Sequence, residues 1–185
     1  MRGVTRATLF AVLLLLTAAG AGGARVTASA TGEVKAPSAA SCDATLVHYR
    51  LYKGVQKGLE VYPWISASPR AGLVGHLFYY PAQKTWERKR LSKVRIYAGG
   101  QSPDGSFSMK ILWVIRNRRV SEAGMTVKGR RLDGKGSFSD ILAGKGQFPS
   151  IIDIPTPGCW HLTLKGIGAA AGTTGNVTMI AVGAK

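Results

Sequence analysis

The sequence predicts an all-β protein, a β-sandwich of about eight strands preceded by a signal peptide. Three observations point there. Short runs of β-branched and aromatic residues recur between Gly, Pro, Asp and Ser, and no stretch of useful length carries apolar residues at helical spacing. Gly also supplies 24 of the 185 residues, a density that fits many tight turns.

The leader comes first. Arg2 and Arg6 precede the apolar run Leu9 to Leu16, and a tract of Ala, Gly and Ser follows, which is the order of a secretory signal peptide. Cleavage has two small-x-small sites, Ala19-Gly20-Ala21 and Ala28-Ser29-Ala30; the second is preferred because it also removes Arg25. The apolar run is too short to span a membrane, which takes about twenty residues. The first Cys, Cys42, lies too far along to accept a lipid. Residues 31–41 are mostly Ala, Ser, Thr and Gly and predict a flexible leader, so one domain is expected over residues 42–185.

Eight strands follow in order: Leu46 to Tyr52, Leu59 to Ile65, Leu73 to Tyr80, Lys93 to Ala98, Ser108 to Arg116, Met125 to Lys128, Trp160 to Lys165 and Val177 to Val182. The first three mix Leu, Val, Tyr and Trp between breakers. In the fourth, Val94 and Ile96 oppose Lys93, Arg95 and Tyr97, so one face is core and the other solvent. Lys110 to Arg116 is apolar on both faces and predicts the central, most buried strand. Met125 and Val127 oppose Thr126 and Lys128. In the seventh strand Trp160, Leu162 and Leu164 form the core face, opposite Cys159, His161, Thr163 and Lys165. Asp104-Gly105 and Asp133-Gly134 predict turn tips, and the Gly/Ala segment Gly166 to Gly175 predicts a mobile linker.

Cys42 and Cys159 are the only cysteines, and in an exported chain they predict one disulfide. The competing reading makes Cys159 a nucleophile with His161 as its base. No acidic or amide neighbour in sequence orients that imidazole, and the second Cys consumes the thiol.

The formal charge of +16 falls to +13 once Arg2, Arg6 and Arg25 leave with the leader. The excess clusters. Lys84, Arg88, Lys89, Arg90, Lys93 and Arg95 stand against Glu87 alone; Arg116, Arg118 and Arg119 follow; then come Lys128, Arg130, Arg131 and Lys135. Such a field attracts an acidic envelope polymer or anionic surface, and salt weakens it. The alternative is a solvated surface that serves solubility. Trp86 and Tyr97 lie among these cations as stacking faces, although aromatics on strands commonly serve the core and no specific nucleic-acid role is expected.

Little in the chain favours an enzyme. His48, His76 and His161 stand in no His-x-x-x-His arrangement, no Cys-x-x-Cys occurs, and neither a metal nor a cofactor is expected. The carboxylates are scattered, and no Ser sits in a Gly-x-Ser-x-Gly setting. The expected function is therefore a non-catalytic exported binder. An envelope enzyme assembled from distant residues, with His161 and one of the acids, is the alternative. Asn176-Val177-Thr178 matches a glycosylation sequon whose use needs a eukaryotic host.

Lys110-Ile111-Leu112-Trp113-Val114, Arg131 to Phe138, Phe148-Pro149-Ser150-Ile151 and Pro155-Thr156-Pro157-Gly158-Cys159-Trp160 together resemble a group of uncharacterised bacterial secreted proteins. In that group a Lys-Leu-Trp strand precedes a late Pro-x-x-Gly-Cys-Trp strand, and the likeness covers about Trp64 to Val182. The resemblance implies an immunoglobulin-like sandwich in or outside the envelope. It brings no activity, substrate or catalytic residue.

Overall fold

The computed structural model describes residues 42–52, 58–79, 84–107, 109–116 and 123–183. The signal peptide and the leader at 31–41 lie outside the described residues. Nine strands are described: β1 (Trp64–Ser68), β2 (Leu73–Tyr79), β3 (Arg95–Tyr97), β4 (Met109–Ile115), β5 (Ala123–Arg131), β6 (Ser137–Gly144), β7 (Gln147–Ser150), β8 (Gly158–Gly168) and β9 (Thr174–Val182). A one-turn helix, α1 (Lys84–Arg88), and a 3-10 turn at Ala98–Gly100 are the helical pieces among the described residues.

The strands form two sheets. The first runs β1-β2-β4-β7 and the second β3-β9-β8-β5-β6; every pairing is antiparallel except β3 with β9. Period-two alternation turns one face of each sheet into a shared core. Ile65, Leu73, Leu77, Ile111, Trp113 and Phe148 come from the first sheet, and Met125, Val127, Trp160, Leu162, Leu164, Val177 and Met179 from the second. The predicted Trp160 face is therefore core, and so are Val94, Ile96, Met125 and Val127.

Trp113 sets the local geometry. Its indole N–H donates to Ser150 Oγ at 3.0 Å, and that hydroxyl donates to the Ile111 carbonyl at 3.1 Å, so the buried donor is satisfied. Its ring fills the place of a side chain at Gly75, where a Cβ would stand 2.8 Å from the ring. A larger residue at 75 and Trp113 exclude one another.

Several expectations are corrected. Leu46 to Tyr52 is no strand: it makes only single bridges, Leu46 with Lys93 and His48 with Trp64, too far apart in the fold to form one ladder. Leu59 to Ile65 opens as a turn, Tyr62 N–H to the Leu59 carbonyl, and pairs only from Trp64. Strand β2 is more enclosed than β4, whose Lys110 and Leu112 are half-buried. The Gly166 to Gly175 segment is no linker. It completes β8 and opens β9, Ala170 is buried, and Gly166 N–H donates to the Thr173 carbonyl.

Strands β6 and β7 are additions to the expected set. Both are edge strands in which polar residues or Pro149 mask the β signal, and Pro is tolerated where no neighbour needs its N–H. The Asp104-Gly105 tip is as expected, with Asp104 accepting from the Ser106 N–H and Gly105 at φ 77°. At the second tip the positive φ falls on Gly136.

Candidate functional site

The Cys42–Cys159 disulfide forms, with Cα atoms 5.6 Å apart and 117 residues between them. Such a bond persists in an oxidising, extracytoplasmic environment. Cys159 points outward from β8, opposite Trp160, so the bond lies on the outer face of the five-stranded sheet beside Ala44 and Ile180. No helix among the described residues is long and apolar enough to cross a membrane.

A clasp stands next to it. Asp133 accepts from Arg131 Nε at 2.7 Å and from the Cys159 N–H at 2.9 Å. Burial alone would raise the Asp133 pKa; the Arg131 guanidinium and the Cys159 N–H outweigh it and hold the carboxyl below its ordinary value. Gly158, at φ 147°, leaves no room for a Cβ, which would stand 2.6 Å from both Arg131 Nε and Asp133 Oδ1.

The described members of the expected polyanion set are spread over several elements. Lys84 and Arg88 are on α1, where Lys84 pairs with Glu87 at 2.5 Å. Lys89 and Arg90 form the turn after it, and the Arg90 guanidinium sits 5.9 Å from the Tyr49 ring. Lys93 donates to the Cys42 carbonyl at 3.3 Å and lies 3.8 Å from Asp43. Arg116, after β4, stacks over Tyr52 on the other sheet. Arg131 belongs to the clasp. Arg118 and Arg119 lie outside the described residues. Trp86 and Tyr97 pack against each other at 4.9 Å rather than standing as separate platforms.

Two of the expected residues, Arg95 and Arg130, do share the outer face of the five-stranded sheet, and the register identifies what accompanies them. One cross-strand row reads Ser137, Arg130, His161, Thr178; the next reads Ser139, Lys128, Thr163, Asn176; the third reads Ile141, Thr126, Lys165, Thr174. Arg95 joins through β9, opposite Ile180. Directly opposed side chains are about 5 Å apart at Cβ, so these rows form one continuous patch. Among the described residues the outward positions of β5, β8 and β9 carry no carboxylate.

The patch is internally wired. His161 Nδ1 lies 3.3 Å from Thr178 Oγ1, its Nε2 lies 3.2 Å from Asn176 Oδ1, and Thr163 Oγ1 donates to the same Asn176 oxygen at 3.2 Å. With Asn176 Oδ1 accepting, Nε2 is the donor of that pair. Beside this ladder lies a shallow depression of about 570 Å³, bounded by Lys128, Arg130, Ser137, Ser139, His161 and Thr163.

Sequence reasoning missed Lys165. Its signal was present, since it continues the outward series of His161 and Thr163, but joining it to Lys128 and Arg130 requires knowing that β8 pairs with β5. Among the described residues no three His, Cys, Asp or Glu side chains gather as a metal site. No protein-family model, curated protein or solved structure matches the chain.

Proposed function

We propose that the protein is an exported, non-catalytic, immunoglobulin-like sandwich that binds an acidic component of the cell envelope through the outer face of its five-stranded sheet. The carrying observation is that Lys128, Arg130 and Lys165 surround a hydroxyl and amide ladder on a face whose strands β5, β8 and β9 carry no outward acid among the described residues. Cations meet the anionic groups of such a polymer, and Thr163, Thr178 and Asn176 meet its hydroxyls.

The strand order supports the immunoglobulin-like reading. Taking β4 as strand B makes β5 and β6 the C and C′ strands, β7 the E strand and β8 and β9 the F and G strands. The sheet β9-β8-β5-β6 then has the order G-F-C-C′, and β4 with β7 has the B-E pairing. Strand β2 occupies the A position beside β4, and β1 adds a hairpin outside it. The resemblance to bacterial secreted proteins agrees with this frame.

The binding role is favoured over the enzyme alternative because both ring nitrogens of His161 meet an amide and a hydroxyl rather than a carboxylate, on an open face. The test is retention on isolated cell-wall sacculi across a salt gradient. Lys128→Gln, Arg130→Gln and Lys165→Gln together should abolish salt-sensitive retention, while Arg88→Gln, Lys89→Gln and Arg90→Gln together should leave most of it. The reverse pattern, or retention untouched by either set, overturns the reading.

A further inference from the structure

The outer face of the four-stranded sheet holds a buried histidine whose polar atoms have no partner. His76 alternates with the core residues Gly75 and Leu77 and so points outward, to the side where Tyr52 packs. It is 0% exposed, and neither ring nitrogen has a hydrogen-bond partner. Trp64 on β1 and Leu112 on β4 flank it, and Tyr52 meets it edge-on at 5.9 Å between ring centroids. A second histidine closes the stack. His48 lies on Trp64 at 4.2 Å and bridges to it through paired backbone hydrogen bonds of 2.8 and 3.0 Å.

We propose that residues 46–52 and 58–62 form a strap over the four-stranded sheet that acid releases through His76 and His48. A buried imidazole without an acceptor has nothing to receive the proton that charging it would add, whereas the same ring in water takes that proton freely. Every proton bound on opening but not in the closed state pulls the equilibrium toward opening. The pKa directions agree. Burial lowers His76, and burial followed by the Arg50 charge lowers His48.

The ionisable groups on the elements packed near His76 are mostly cationic. From the strap come Arg50, stacked over Trp64 at 5.9 Å, together with His48, Tyr52, Tyr62 and Glu60. From β4 come Lys110 and, just beyond its end, Arg116, whose guanidinium lies 5.9 Å from the Tyr52 ring. Strand β1 contributes no ionisable side chain, and Lys53 and Lys57 lie outside the described residues. Glu60 is the lone acid of the strap's described part, and its Oε2 is itself buried and unpartnered. Glu60 is the group that makes the proposal falsifiable: an ion pair between it and a charged His76 would tighten the strap in acid instead.

The test is amide hydrogen exchange on the full chain at pH 7.5 and pH 5, corrected for intrinsic chemistry, read at His48 and Trp64 against the β8–β9 amides as internal reference. With one histidine near its ordinary value of about 6.5 when open, strap exchange should accelerate by up to about thirtyfold relative to β8–β9. His76→Leu should remove most of that pH dependence. His48→Gln, at a half-buried and more tolerant position, should reduce it in part and keeps the question answerable if the first variant fails to fold. Strap protection that is unchanged or greater at pH 5, or acceleration shared equally by β8–β9, overturns the proposal.

Discussion

On the five-stranded sheet the outward positions of β5, β8 and β9 are Thr126, Lys128, Arg130, His161, Thr163, Lys165, Asn176 and Thr178, and most of that face meets solvent. On the four-stranded sheet the outward positions include Trp64, Val74, Leu112 and Val114, and Tyr52 and Leu59 of the strap pack over them. Both faces obey the same alternation. The side chains at the odd step decide whether a sheet stays bare or is covered, and here one face is left open to solvent while the other is closed by the protein's own chain.

The largest way to break this contrast is to remove the link at the head of the strap. Cys42→Ser with Cys159→Ser opens a covalent loop spanning a sequence separation of 117 and should cost about 4 kcal/mol in chemical denaturation. Trp64→Ala takes away the ring on which His48, Tyr52 and Arg50 gather. It should cost about 3 kcal/mol and raise protease cleavage within the strap.

Asp133→Asn should cost about 2 kcal/mol, since it leaves the partly buried Arg131 guanidinium without its counterion. The pH dependence sharpens this. The folded Asp133 pKa lies below its unfolded value, so its contribution is complete above the ordinary carboxylate range and is lost as pH falls below about 4. Denaturation midpoints measured down to pH 2 should show a shallower acid limb in Asp133→Asn than in the parent protein. The smallest effect belongs to the bare face. Lys128→Gln, Arg130→Gln and Lys165→Gln together should change stability by only about 0.5 kcal/mol while removing polyanion binding.

The all-β class, the disulfide and the core faces of β3, β5 and β8 were legible because each rests on local alternation or on having only two cysteines. Strands β6 and β7 were not, since an edge strand exposes polar residues such as Ser137, Ser139 and Asp140 and tolerates Pro149. The proposed binding face was half legible. Arg95 and Arg130 were among the expected cations, but runs of charge in sequence pointed to α1 and its turn, whereas the face is assembled across strands whose neighbours only the fold decides. His76 carried no sequence mark that separated it from His48 or His161.

The segment from Cys42 to His48 touches both sheets: Thr45 N–H donates to the Thr178 carbonyl on β9, and His48 pairs with Trp64 on β1. Its sulfur partner is made 117 residues later. The ribosome therefore produces this stretch early, yet it can be fixed only after the penultimate strand exists. The earliest part of the domain to be synthesised is among the last to be locked, and until then oxidation has nothing to join.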